Sequence, residues 1–536
     1  MTGQDVHLDQ TLRIFAGQKG VTRRDFLERA VASGVTIAAA TAMWSESARA
    51  AQVRGGHIVT AAGDGQSADS FIIGHAGNSH QTALTETFRS KLVDARSDGG
   101  LDPMLATEWD ASDAGATWTF KLRQGVEFHN GKTLDAQDVI DSMNVHRGPD
   151  SQSGGASMMA IVADIRSDGD DVIFELSEPA ADFPYYLAQY LFQVAPSVDG
   201  EVDMSGVGTG AYVMQEYEPG VRGIGERFAN YFLEDQGFFD SFEHLSVKDH
   251  AALSSALASD SVQAVWPVEP KTADLLAQNA GVSILSVSGG STITMPMRAD
   301  TPPFDNLDFR LAMKYLVDRE QMRDVIFNGH ASLANDHPVA PFDQFFNPAI
   351  AQRGFDPDRA KHHLEKAGYG GETIEIHASA AAFSGAVDSG VLFAENAKQA
   401  GFNLEVVRQP VDGYWADVWG TVPFSYCYWN ARPTPDLMLT LAYICDAAWG
   451  DSYWCDREFT DLVAAARTEL DTEKRKLLYA DVQLILHERG STIVPLFQNL
   501  VHGVRDRVDT GGDVLGAAPF DTYRMFRKWS FRDGTA

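Results

Sequence analysis

The sequence predicts a mixed α/β protein built from several lobes, and three observations carry that reading. Short β-branched or alternating runs recur at 57–61, 117–122, 171–176, 211–217, 373–377 and 403–407. Helix-period patterns lie between them without a strict strand–helix–strand rhythm. The 486 residues that follow position 50 exceed one ordinary domain of about 150 residues.

The first element is a leader, not a fold element. Arg23 and Arg24 are followed at once by Asp25, Phe26 and Leu27, and an apolar run from Ala30 to Trp44 ends on Ala48-Arg49-Ala50. A charged start, an apolar middle and a small-residue exit describe an export signal cleaved after Ala50. The adjacent arginines in TRRDFL select the twin-arginine translocon, which carries folded cargo. The run falls short of the ~20 apolar residues that span a bilayer, and no later segment reaches that length. The mature protein is therefore expected in the periplasm.

Outside residues 1–50, which hold six basic and five acidic side chains, the chain carries 37 Lys and Arg against 69 Asp and Glu, a net charge of −32. Such a surface repels nucleic acid and anionic lipid, so neither is an expected partner. The three cysteines, Cys427, Cys445 and Cys455, make no CxxC pair. Cys445 and Cys455 flank the loop-like DAAWGDSYW, where either a disulfide or two buried thiols is consistent with the spacing in an exported chain.

Among helices, 311–325 places Leu311, Met313, Leu316, Val317 and Met322 at apolar positions. The pattern at 357–367 is stopped by Gly368, and 459–466 and 472–488 are the clearest of the remainder.

Several near-motifs fail. Gly125 to Gly131, followed by Lys132 and Thr133, has five residues between its glycines where a phosphate loop needs four. Gly206, Gly208 and Gly210 are followed by a strand-like run, so a dinucleotide phosphate would find no helix N-terminus. His487-Glu488 lacks the second histidine of a zinc-protease helix. The pair His362-His363 points to different helix faces and reads as solvated surface. No catalytic residues, metal ligands or cofactor are expected.

The specific signal begins at Asp102. Asp102-Pro-Met-Leu-Ala-Thr-Glu-Trp109 is followed by Thr117-Trp-Thr-Phe-Lys-Leu-Arg123, then by Gly125-Val-Glu-Phe-His129-Asn-Gly131 and Ala136-Gln-Asp138-Val139. Further blocks come in order: Gly208-Thr-Gly-Ala-Tyr212, Asn230-Tyr-Phe232, Pro303-Phe-Asp-Asn306 with Arg310, Asp318 and Arg319, Phe355 to Tyr369, and Ile493-Val-Pro-Leu-Phe497. Together they resemble the extracellular family 5 solute-binding proteins of peptide, opine and nickel ABC importers. The resemblance implies an α/β, two-lobed periplasmic-binding-protein-like fold with a hinge and an extra subdomain in the first lobe. Lobe I is expected at 51–296 plus 500–536, with the subdomain near 80–205, and lobe II at 297–499. Hinge crossings are expected near 295–301 and 498–504. His129 is expected to be a structural hydrogen-bonding residue of its turn. The implied partners are a small-molecule or short-peptide ligand and importer permease subunits, with the protein itself a monomer.

The densest aromatic region is 414–454, with Trp415, Trp419, Tyr426, Tyr428, Trp429, Trp449, Tyr453 and Trp454. Half of such rings belong in a core. Trp429-Asn-Ala-Arg432-Pro-Thr-Pro-Asp436 combines turn chemistry, polar groups and a ring, as a cleft loop does. Peptide-binding relatives resemble W-x-x-D here, their aspartate holding the peptide amine; this chain has Arg432, which departs from a plain peptide ligand. A guanidinium suits carboxylate or phosphate, and a surface role for Arg432 is the alternative. Asp436 and Asp451 are then candidates for a cationic group of the same ligand, and Trp429, Trp449 and Trp454 for its walls. The expected function is capture of a small peptide-like or opine-like zwitterionic or anionic nitrogen solute for import, without catalysis. A metal- or haem-scavenging binder of the same fold, or a secreted enzyme, is the alternative.

Overall fold

The computed structural model describes residues 52–532 apart from 76 and 513. Arg23, Arg24 and Ala50 lie outside the described residues. The main sheet has nine strands, in the order Tyr212–Glu218, Arg222–Arg227, Ser241–Ser246, His57–Ala62, Ala264–Trp266, Thr492–Arg505, Val282–Pro296 and Cys427–Trp429, with Ala331–Leu333 also paired to Thr492–Arg505. His57–Ala62 runs parallel to both of its neighbours.

Two strands connect the halves of the molecule. Val282–Pro296 and Thr492–Arg505 pair antiparallel from Val282 opposite Arg505 to Pro296 opposite Thr492. At one end Val282, Val501 and Val504 enter cores shared with Ile58, Phe242 and Leu257. At the other end Ile293, Met295, Ile493 and Leu496 enter a separate core with Phe309, Phe393 and Tyr426. The register breaks between Val287 and Ser291. A Cβ on Gly289 there would lie 2.2 Å from the carbonyl oxygen of Gln498, so the close approach of the two backbones requires glycine.

A second sheet, ordered Ala106–Ser112, Thr117–Leu122, Asp171–Leu176 and Val162–Asp168, has its own core around Phe120, Phe128, Phe174 and Phe183. The helix Ala136–Asn144 packs Val139, Ile140 and Met143 into that core, and a reciprocal capping box between Asp135 and Asp138 fixes its start. His129 Nε2–H donates to the Gly210 carbonyl at 3.0 Å, pinning the Glu127–Thr133 turn to the neighbouring strand entry. Gly208 and Gly210 pack against the backbone of Thr87 and Phe88, leaving no room for a side chain or a phosphate.

The expected helix over 311–325 is two helices, Leu307–Tyr315 and Arg319–Ile326. The Asp318 carboxylate accepts the Gln321 N–H and starts a new helix inside an unbroken apolar pattern. Pro357–Ala367 ends at Gly368 in the left-handed conformation, as its sequence predicts. His363 departs from the surface reading: its ring stacks on Tyr315 and its Nδ1 lies 2.7 Å from an Asp308 oxygen. Cys445 and Cys455 form a disulfide with Cα atoms 4.4 Å apart, and Cys427 is a buried free thiol.

Among the described residues, no helix is long and apolar enough to cross a membrane. No His, Cys, Asp and Glu cluster capable of holding a metal ion occurs among them either.

Candidate ligand cleft

The strand Cys427–Trp429 pairs with Thr292–Thr294 of the connecting strand and then stops. Five residues later Thr434 caps the helix Pro435–Ala442, with Pro435 at its first turn. The intervening loop, Asn430–Pro433, is thereby held at the junction of the two halves, and it carries Arg432.

Arg432 borders two hollows. The first has about 870 Å³ of open space between segments from both halves: 95–100 and 182–189 on one side, 338–345 and 431–438 on the other, with Leu515 and Ala517. The second has about 780 Å³ of open space and is lined by Trp415, Trp419, Tyr428, Trp429 and Trp449 beside Arg432. The Arg432 side chain is half-buried, and its Nη1 donates only to carbonyls of its own loop, Asn430 at 3.2 Å and Ala431 at 3.4 Å. Burial lowers the pKa of this guanidinium. No carboxylate among the described residues stands within ion-pair distance of it. A partly desolvated guanidinium is costly to leave unpaired, and its planar fork matches a carboxylate or phosphate.

The other sequence candidates are placed differently. Trp429 and Trp449 line the second hollow with Arg432. Asp436 is buried, and both its oxygens accept from Arg467 Nε, at 3.1 and 3.2 Å; it lines neither hollow. Burial raises its pKa to about 6. Asp451 is buried behind the aromatic wall, where its Oδ2 accepts the Trp419 indole N–H at 3.0 Å, and burial raises it too to about 6. Trp454 packs edge-on to Phe459 inside the core of the 435–486 helices, away from both hollows.

Residues that sequence reasoning left without a role also line the site. Trp415, Trp419 and Tyr428 complete the aromatic wall; only their density in the chain hinted at it. Asp182 and Asp343 line the first hollow from opposite halves. Asp343 Oδ1 accepts the Phe345 N–H at 2.8 Å, while burial, reinforced by the charge of Asp182, pushes its pKa up to about 7. Nothing in the local sequence singles out either acid.

Two halves joined by a strand pair, with a hollow between them, have the architecture of the two-lobed periplasmic binding proteins. The chain belongs to the bacterial extracellular solute-binding proteins, family 5, whose middle-region model matches residues 100–450. It is the solute-binding component of an ABC importer and not an enzyme. Among its relatives is the dipeptide-binding protein of Escherichia coli K12, 22% identical over 462 residues, which cover 76% of this chain and 82% of that protein. The fold is shared with HbpA2 from Haemophilus parasuis (TM-score 0.77, 17% identity, 89% of this chain and 100% of that one). It is shared also with AgaA from A. tumefaciens R10 in complex with agropinic acid (TM-score 0.66, 19% identity, 89% and 99%).

Proposed function

We propose that this protein captures a small anionic or zwitterionic nitrogen compound, peptide-like or opine-like, in the cleft around Arg432, and delivers it to a membrane permease. The observation that carries the reading is the half-buried Arg432 guanidinium, bordering both hollows with no acid partner. A dipeptide-binding relative and a structural neighbour bound to agropinic acid support the ligand class. In the same reading, 51–296 with 500–536 forms lobe I, including a subdomain near 80–205, and 297–499 forms lobe II. Trp429 and Trp449 wall the ligand, and Asp436, Asp451 and Trp454 support the walls from behind. The chain is exported as a folded monomer through the twin-arginine translocon. Neither hollow is lined by a histidine among the described residues, which weighs against a nickel or haem ligand.

The test is a thermal-shift screen of the mature chain against dipeptides, opines and N-substituted amino acids, followed by calorimetry on Arg432 variants. A charge-assisted hydrogen bond contributes about 1.5–3 kcal/mol, so Arg432→Ala weakens binding about tenfold to a hundredfold. Arg432→Lys recovers part of it, because an ammonium lacks the bidentate fork. Equal affinities across the three proteins refute the anchor role.

A further inference from the structure

We propose that the recess beside Arg432 is an aromatic cage for a methylated ammonium group, so that the solute is a betaine-type zwitterion. Its quaternary nitrogen enters the recess and its carboxylate meets Arg432. This deepens the preceding proposal and rests on its reading of Arg432 as the anion site.

Ring geometry is the first ground. Trp419, Trp429 and Trp449 stand at mutual centroid distances of 6.2, 5.9 and 6.1 Å, with their planes inclined at 68°, 59° and 53°. All three line one hollow. Inclined rings at this spacing that border one hollow can turn their faces toward a shared point, and an aromatic face holds a cation within ~6 Å of its centroid. Parallel stacking at the same spacing would leave no such point. The rings are graded from floor to rim: Trp429 is 4% exposed, Trp419 half-buried and Trp449 54% exposed. Trp415 and Tyr428 extend the wall outward, at 6.1 Å from Trp419 and 5.6 Å from each other respectively for Trp415.

Charge is the second ground. The Asp451 carboxylate lies behind the wall and accepts the Trp419 indole N–H at 3.0 Å. A negative group bonded to the ring's edge N–H makes the ring face more attractive to a cation. Asp451 is itself 7% exposed, so its field reaches the recess while its oxygens stay out of a ligand's reach.

The type of cation follows from what the lining does not supply. A primary ammonium carries three N–H donors and needs acceptors for each when desolvated. The lining is mainly aromatic, and its oxygen-bearing side chains are Tyr428 and Asn430, two acceptor groups where a desolvated primary ammonium needs three. A trimethylammonium group has no N–H to satisfy and presents only polarised methyl groups, which ring faces accommodate. Arg432 at the edge of the same recess repels a bare cation but complements one that carries its own carboxylate.

The experiment is a tryptophan-fluorescence titration of the mature protein, with tetramethylammonium chloride as the bare-cation probe, glycine betaine as the zwitterion, N-acetylglycine as the anion without a cation, and potassium chloride as the ionic-strength control. Saturable quenching by tetramethylammonium and tighter binding of glycine betaine are expected. Trp449→Ala, at an exposed position, should weaken both about tenfold, with Trp449→Phe recovering part. Arg432→Ala should weaken glycine betaine and leave tetramethylammonium unchanged or tighter. Absence of a saturable tetramethylammonium response overturns the cage. If N-acetylglycine then binds as well as glycine betaine and loses affinity in Arg432→Ala, the cage alone has failed. If tetramethylammonium binds but Arg432→Ala leaves glycine betaine unaffected, the cage stands, the betaine assignment is overturned, and the Arg432 reading has failed with it.

Discussion

Arg475 and Asp182 lie 293 positions apart and form an ion pair in which both side chains are buried, at 4% and 3% exposure. Arg475 sits near the start of the helix Thr472–Arg489, its guanidinium over the ring of Phe345 at 4.7 Å and its Nε donating to the Ala466 carbonyl at 3.0 Å. Next to this pair the Ala181 N–H donates to the Arg467 carbonyl at 2.9 Å. The contact ties the second sheet's core to the 435–486 helices, flanking the first hollow.

Removing one partner of a buried pair leaves the other charge desolvated and alone, which costs about 3–5 kcal/mol. Arg475→Ala should lower the unfolding free energy by that order in urea denaturation. A change below about 1 kcal/mol would mean that the pair is solvated, as surface pairs are.

Stability should fall on mild acidification, and His502 is one cause. Its Nε2 accepts the Phe520 N–H at 2.9 Å, which requires that nitrogen to be unprotonated. Burial lowers its pKa to about 4. The unfolded chain takes up the proton near pH 6.5 and the folded chain does not until about pH 4. Its contribution is therefore complete above about pH 6.5 and is lost as pH falls from there to about 4, by about 3 kcal/mol at most. His502→Gln, whose amide oxygen can still accept the Phe520 N–H, should flatten the pH dependence of urea midpoints in this window. An unaltered slope would remove His502 from the account.

The Cys445–Cys455 bridge closes a short loop, with a sequence separation of 10. In the chain-entropy model a loop of this size is worth about 2–3 kcal/mol. Cys455→Ser should lower the melting temperature, and reductant should do the same to the parent but not to the variant. Thiol counting on unfolded, unreduced protein should find one thiol, that of Cys427; three would contradict the bridge.

Replacing Arg23 and Arg24 with lysines should hold the precursor in the cytoplasm, since the translocon reads both guanidinium groups. Cell fractionation with mass spectrometry of the mature N-terminus checks this. Undiminished periplasmic protein beginning near residue 51 would assign export to another route.

Features set by near neighbours in the chain were legible. Alternation marked the strands Thr117–Leu122 and Asp171–Leu176 at their observed bounds, and Gly368 marked the end of Pro357–Ala367. The ordered blocks between Asp102 and Phe497 pointed to the family, because turns and strand entries repeat as short local patterns. The break at Asp318 was hidden because both helices there continue one apolar periodicity, and the cap is a single hydrogen bond.

The site was legible only as a region. Composition singled out 414–454 for its rings and Arg432 for its odd place beside Trp429. What each group does there is settled by partners remote in sequence. Asp436 is occupied because Arg467, 31 positions away, reaches it. Asp451 lies behind the wall because Trp419, 32 positions before it, takes its oxygen. Asp343 borders the cleft because a turn in one half faces Asp182 in the other. Residue type and local spacing determine which chemistry a side chain can offer, and the chain states both directly. Whether that chemistry is spent on a neighbour or left open to a ligand depends on burial and on pairing across tens to hundreds of residues, and only the packed structure decides it.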